Sequence, residues 1–207
     1  MARVRAAEKA PRRGRPRSET SRNAILRAAG ELLLEHGLNS ISMDAVAERA
    51  GASKATIYRW WTSKELLALD ALFGEWEPAR PDTHDTGSLA GDLLALIRPW
   101  ARQLAAKPYG RVIAALITRA QSDPQFAEEY RARFVQPRRD RARVILARAI
   151  ERGEIPANAD IDVALDLLYG PFYHRLLHGH APLTDRFARS VVEYVVAGVE
   201  RPARRAE

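Results

Sequence analysis

The sequence predicts an all-α protein. Every strong apolar period in its 207 residues is helical, with spacings of three and four. No segment alternates apolar and polar residues convincingly, and neither Asn-Gly nor Asp-Gly, the tight hairpin dipeptides, occurs. Ser, Thr or Asp stands before the periodic stretches and Gly after several of them, as helix starts and stops require. About nine helices in two unequal parts are expected.

Ile25, Ala29, Leu32 and Leu33 put one apolar stripe on a helix from about Ser21 to His36, which Gly37 stops. Ser42 caps the next helix, with Asp44 in its first turn, Val46, Ala47 and Ala50 on its inner face, and Gly51 at its end. Ser53 then caps a third helix, Lys54 to Trp61, and Ser63 a fourth through Leu66, Leu67, Asp70 and Phe73 to Trp76. Pro78, Pro81 and Gly87 among polar residues mark 78–88 as a linker. Beyond it, Leu89, Leu93, Leu96, Ile97, Trp100 and Leu104 share a helix that Pro99 should kink, and Pro108 opens another through Val112, Ile113, Leu116 and Ile117. Asp123-Pro124 starts a long helix to about Arg152, with Phe126, Tyr130 and Phe134 on one face and a kink expected at Pro137. Asp160 opens a helix expected to bend at Gly170-Pro171, and Thr184 caps the last, which carries Phe187, Val191, Tyr194, Val195 and Gly198.

Composition narrows the function. With 46% apolar and 29% charged residues the chain is ordinarily globular, and no apolar run approaches the roughly 20 residues that span a bilayer. The basic N-terminus lacks the apolar stretch of a secretory signal, so a cytoplasmic location is expected. Without cysteine there is no disulfide, thiolate nucleophile or zinc–thiolate site. The phosphate-loop, zinc-protease and serine-hydrolase motifs are absent as well, so neither enzyme activity nor a cofactor is expected. Of the net +7, five charges fall within residues 1–19, where Pro11, Gly14 and Pro16 disfavour packing. That segment is expected to be a mobile basic arm, suited to phosphate attraction or to solubility. His174, His178 and His180 have no obvious acidic or thiolate companion and are expected as surface or interface histidines, not metal ligands. The basic run Arg138–Arg143 is expected to be a solvated helix face offset by Asp140, Glu151 and Glu154.

Residues 42–61 form a helix, a two-residue turn and a short second helix, the spacing of a helix-turn-helix whose second helix can enter a major groove. At about 100° per residue, Ile57 and Trp61 share a face that can pack on Val46, Ile25 and Leu32, whereas Ala55, Thr56, Arg59 and Trp60 face outward. By periodicity alone, a small helical subdomain with an amphipathic third helix remains the alternative.

The stretches Ser42–Gly51 (SMDAVAERAG), Ala52–Trp61 (ASKATIYRWW) and Thr62–Leu67 (TSKELL) resemble the N-terminal domain of tetracycline-repressor (TetR) family transcriptional regulators. The similarity runs without a gap from Arg22 to Trp76, and Arg12–Arg17 (RRGRPR) is similar to the arms of many members. The resemblance implies an arm at 1–19, a three-helix DNA-binding domain at 20–77, the linker, and an effector-binding and dimerisation domain at 89–207. It implies a regulator, most often a repressor, that binds a near-palindromic operator as a homodimer and is released by a small molecule. A helical protein-binding adaptor with non-specific DNA affinity is the alternative.

The family's DNA-facing positions fall on Arg13, Arg15 and Arg17 of the arm, Ser42, Ser53, Lys54, Ala55, Thr56, Tyr58, Arg59, Trp60 and Lys64. The chemistry agrees: capping serines offer hydroxyls to phosphates, Ala55 and Thr56 offer methyls to thymine, and Arg59 suits bidentate guanine contact. Lys64 matches the family's phosphate-binding lysine. Trp60 replaces the commoner His or Tyr, and Trp61, in place of Phe, is expected in the core. An effector pocket is expected from Trp100, Ile113, Leu116, Phe126, Tyr130, Phe134, Tyr169, Phe172 and Tyr173. A dimer interface is expected from Leu167, Leu176, Phe187, Val191, Tyr194, Val195 and Gly198.

Overall fold

A computed structural model describes residues 16–76 and 85–199, with side chains for 19–72 and 85–199. Every regular element among them is helical: α1 (Pro16–His36), α2 (Met43–Ala50), α3 (Lys54–Tyr58), α4 (Lys64–Trp76), α5 (Leu89–Ala105), α6 (Lys107–Ser122), α7 (Pro124–Tyr130), α8 (Gln136–Glu151), α9 (Ile161–His178) and α10 (Asp185–Val199). A π-helical turn, Arg131–Val135, joins α7 to α8, so the described residues hold nine helical rods.

The expected caps are made. Ser42, Ser53, Asp123 and Asp160 accept the N–H three residues on, as do Ser63 from Leu66 (3.2 Å) and Thr184 from Phe187 (3.1 Å). At the end of α2, Gly51 N–H donates to Glu48 and Ala52 N–H to Ala47, at 3.2 and 2.9 Å, with Gly51 at φ 59°. That left-handed position favours glycine and turns the chain into α3 within two residues.

Two boundaries and one distortion differ from expectation. α1 starts at Pro16 rather than near Ser21. Proline at a helix's first position needs no N–H partner and has its φ already set, and Glu19 in the first turn suits the dipole. α3 ends at Tyr58, not Trp61. Arg59 and Trp60 form a tight turn, with Trp60 N–H donating to Ile57 at 2.9 Å, because Ser63 must leave helical geometry to cap α4. The distortion ahead of Pro137 is a π turn: Gln136 N–H reaches back five residues to Arg131. Proline lacks an N–H and its ring excludes the carbonyl four residues earlier, so the ladder widens just before it. α5 and α9 each continue through their internal Pro99 and Pro171.

The first part buries Ile25, Leu33, Val46, Ile57 and Leu67 between α1, α2, α3 and α4. In the second, α5 lies among α6, α8, α9 and α10 over Leu93, Ile97, Val112, Ile113, Phe134 and Phe172. The two parts touch where α1 leans on α6, and α4 on α7 and the π turn. Polar groups pin the second part together. Buried Asp92 accepts from the Thr86 N–H and hydroxyl (2.6 and 2.7 Å), from Arg152 (3.2 Å) and from Arg148 (3.4 Å), while Glu154 accepts from the Leu89 N–H at the head of α5.

The run Arg138–Arg143 is not the uniform solvated face expected. Arg138 is buried, and Arg139 and Arg143 cross to Asp162 and Asp166 of α9, with Asp140 also pairing to Arg143. Glu154 serves Arg152 and Leu89 instead.

Candidate nucleic-acid interface

Two anchors hold α2 and α3 in place. Arg49 on α2 forks onto Glu35 of α1 at 3.0 and 3.1 Å and reaches Glu31 at 3.3 Å. Its hydrogen bonds hold the Glu35 carboxyl below the ordinary range. From the inside, Ile57 and Trp61 plug into the core as the helical wheel requires, and Trp61 Nε1 donates to Asp70 Oδ2 of α4 at 2.8 Å.

What these anchors leave outside is a row of polar and aromatic groups. Ser42, Ser53, Lys54, Ala55, Tyr58, Arg59 and Trp60 are exposed, and Thr56 is half-buried. The cap hydroxyls of Ser42 and Ser53 accept backbone N–H groups, which leaves the hydroxyl of Ser42 free to donate outward; Ser53 Oγ also shares a hydrogen bond with Thr56 Oγ1 at 2.9 Å. Lys54 pairs with Asp44 on α2. Two guanidiniums, of Arg22 and Arg59, stand 6.0 and 5.9 Å from the Trp60 ring centre. Arg22 also sits 5.6 Å from the Trp61 ring and 3.6 Å from Asp70. Sequence reasoning missed Arg22; its one signal is a basic side chain early in α1.

Lys64 is placed differently from a free phosphate ligand. Its ammonium donates to the carbonyls of Asn39 and Ile41, at 3.3 and 3.2 Å, and ties the head of α4 to the loop before α2. Arg17 lies in the first turn of α1, and Arg13 and Arg15 lie outside the described residues.

In the second part, Ile113, Leu116, Phe134 and Phe172 are core, and Phe126, Tyr130 and Phe134 run in file with ring centres 6.3 and 5.0 Å apart. Trp100 meets Tyr169, Phe172 and Tyr173 edge-on at 5.3–5.6 Å. Of the nine aromatic and aliphatic residues expected around a pocket, Tyr169 and Tyr173 border a cavity of ≈ 270 Å³ between α8 and α9. Phe126 borders a separate cleft of ≈ 330 Å³ between the end of the helix-turn-helix and α6–α7. Burial pushes the phenols of Tyr130 and Tyr173 up, so both are neutral at any physiological pH.

Of the residues expected at a dimer interface, Leu167, Tyr194 and Gly198 are exposed, Leu176 and Phe187 half-buried, and Val191 and Val195 buried within the protomer. The three histidines lie exposed at the end of α9, the His178 and His180 rings 4.7 and 5.0 Å from that of His174.

Fold and site together define a helix-turn-helix DNA-binding protein with a larger, all-helical second part. Residues 25–71 match the family described as bacterial regulatory proteins, tetR family, and residues 83–195 match the tetracyclin repressor-like C-terminal domain. The chain is 42% identical over 189 residues to the HTH-type transcriptional regulator YdeS of Bacillus subtilis (strain 168), covering 91% of this chain and 94% of that one. It is 33% identical over 189 residues to the DNA-binding transcriptional repressor TetR of Mycobacteroides abscessus, covering 91% and 98%. The crystal structure of the TetR family transcription regulator SCO0332 superposes with a TM-score of 0.73 at 39% identity, covering 86% of this chain and 98% of that one. The chain therefore belongs to the TetR family of transcriptional regulators, which are DNA-binding proteins and not enzymes.

Proposed function

We propose that this regulator represses transcription by binding a near-palindromic operator as a homodimer in the cytoplasm, and that a small molecule bound in the second part releases it. The observation that carries the proposal is the division of α3 and its exit turn: Ile57 and Trp61 are locked into the core, whereas Lys54, Ala55, Tyr58, Arg59 and Trp60 are presented together outside. A short helix reads only a few base pairs, so a second, symmetry-related copy is needed for useful specificity. The exposed Leu167 and Tyr194, on the last two helices, are apolar surface for that copy to cover. The repressor name carried by the Mycobacteroides abscessus relative favours repression.

On this reading, Arg59 contacts guanine, Ala55 and Thr56 meet thymine methyls, and Ser42, Ser53, Tyr58 and Trp60 touch the backbone, as do Arg13 and Arg15 of the arm and Arg17 at the head of α1. Lys54 turns from Asp44 toward DNA, and Lys64 acts by holding the loop and supplying positive charge. Release is a population shift: a ligand that prefers a wrong separation of the two recognition helices lowers operator affinity by its differential binding energy.

The test is selection of bound duplexes from a randomised pool by the full chain at about 150 mM salt, where phosphate attraction alone is weak. An enriched inverted repeat is expected. A folded protein that enriches a single half-site, or nothing, rejects the dimeric operator.

A further inference from the structure

The second part contains a cation where an apolar core would suffice. Arg138, on the first turn of α8, is buried, with its guanidinium carbon 3.8 Å from the Phe134 ring centre. It donates to the Phe134 carbonyl at 2.9 Å and meets the Tyr109 hydroxyl at 3.4 Å, while its own carbonyl accepts from the Tyr169 hydroxyl at 2.9 Å. Its charge is also felt by the phenols of Tyr130 and Tyr173. One buried guanidinium is thus ringed by tyrosines contributed by α6, α7 and α9.

The cluster is open on one side. The ≈ 270 Å³ cavity beside it is walled by Arg138, Arg139, Asp166, Tyr169 and Tyr173, with Gly170 at its edge. A Cβ built on Gly170 meets nothing within 4 Å. Two guanidiniums against one carboxylate leave the wall with one net positive charge, and Asp166 is already engaged by Arg139. The neutral phenol of Tyr173 can donate to an anion without repelling it, whereas the Tyr169 hydroxyl is committed to the Arg138 carbonyl and offers its ring. Behind the two tyrosines, Trp100 adds a further aromatic edge, and its buried Nε1 has no hydrogen-bond partner. The volume lies at the low end for small-molecule sites, enough for a single ring and its substituent but not for a long chain.

We infer that this cavity binds a small aromatic carboxylate, with the anion at Arg138 and the ring against Tyr169 and Tyr173, and that this molecule class is the releasing effector. The inference rests on the effector-release proposal above and adds the chemical class and the seat. A guanidinium and a carboxylate form a charge-assisted pair, and a partly dehydrated site strengthens it. The seat is also well placed to act: Val135, the last residue of the π turn, lines the same cavity, and Arg133 of that turn grips Asp70 in the DNA-binding part.

Thermal-shift and calorimetric titration of the full chain with benzoate, phenylacetate and 3-phenylpropionate, against the three matched amides, tests the inference. At least one acid should bind and raise Tm while its amide does not. Arg138→Met should weaken that acid about 10–100-fold, Arg138→Lys should retain part of the affinity, and Gly170→Leu, which fills the open space, should abolish binding in a folded protein. If Arg138→Met fails to fold, Gly170→Leu decides. Equal binding of acid and amide, undiminished binding by Gly170→Leu, or no binding of any of the six at about 5 mM overturns the inference. The broader proposal is then judged separately, by challenging the protein–operator complex with a mixed small-molecule library. Release by a neutral or cationic compound keeps effector release and discards the anion seat, and no release by any compound discards both.

Discussion

Arg59 stands on the turn that ends α3, its guanidinium 5.9 Å from the Trp60 ring and otherwise exposed. Arg59→Ala should therefore relax base preference at one position per half-site, by about 1–3 kcal/mol, with little change in fold. Repeating the duplex selection with the variant checks this, and an unchanged preferred sequence would show that another side chain reads that base. Lys64 is a different case. Because its ammonium holds Asn39 and Ile41, Lys64→Ala should weaken all duplexes alike and also lower stability by about 1–2 kcal/mol. Denaturant unfolding separates the two effects; a variant as stable as wild type would mean that the hydrogen bonds carry no net weight. At Asp92, burial raises the carboxyl's pKa, but the Thr86 hydrogen bonds with Arg152 and Arg148 more than offset it and leave it lowered. The stabilisation from a depressed acid is present above the unfolded carboxylate range and is lost as pH falls through the folded value. Asp92→Asn should thus cost about 2–4 kcal/mol near neutrality, and less with each step into acid. Melting temperatures from pH 7 down to the acid limb measure it, and parallel curves would refute the linkage.

At the scale of elements, close approach is what individual helices cannot reveal. Gly110, near the start of α6, lies where a Cβ would meet the Leu104 carbonyl of α5 at 2.6 Å and Leu176 of α9 at 3.0 Å. Gly110→Ala should force those helices apart at a cost of about 1–3 kcal/mol, seen as a Tm lower by several degrees. A neutral or stabilising result would mean that the α5–α6 junction gives way freely. This division between local and distant causes also sets what could be read in the sequence. Caps at Ser42, Ser53, Asp123, Asp160 and Thr184 were legible because each is a contact three residues long, and so was the burial of Ile57 and Trp61, which follows from helical periodicity. The start of α1 was not, because its first turn carries no apolar stripe and only Pro16 marks it. Pro137 announced that the helix must distort but not that the ladder would widen upstream of it. The roles of Lys64, Arg138 and Asp92 depend in part on partners 23 to 60 residues away, beyond what spacing along one helix can disclose.

Across the whole molecule, one carboxylate links the two parts beside the α1–α6 contact. Asp70 of α4 accepts from the Trp61 indole at 2.8 Å and from Arg133 of the π turn at 3.0 Å, with Arg22 of α1 at 3.6 Å. Trp61 follows α3 and Arg133 belongs to the π turn of the second part, so Asp70 ties the geometry of one to that of the other. Arg133 is further fixed by Glu129 at 2.7 Å, and Phe134, the next residue, stacks on Tyr130 and under Arg138. A π turn is a place where a helix can change register at modest cost, which makes this segment a suitable two-state element. Coupling is reciprocal: if a ligand in the second part alters DNA affinity, DNA must alter the second part. Operator duplex should therefore slow amide hydrogen exchange not only in α2 and α3 but also in the π turn and the first turn of α8. In Asp70→Asn the Trp61 hydrogen bond can persist through the amide oxygen while the ion pairs are lost, so protection should remain in α2 and α3 and vanish from the π turn. Protection that survives there in the variant would route the coupling through the α1–α6 contact instead, and would leave Asp70 as a support for Trp61 alone.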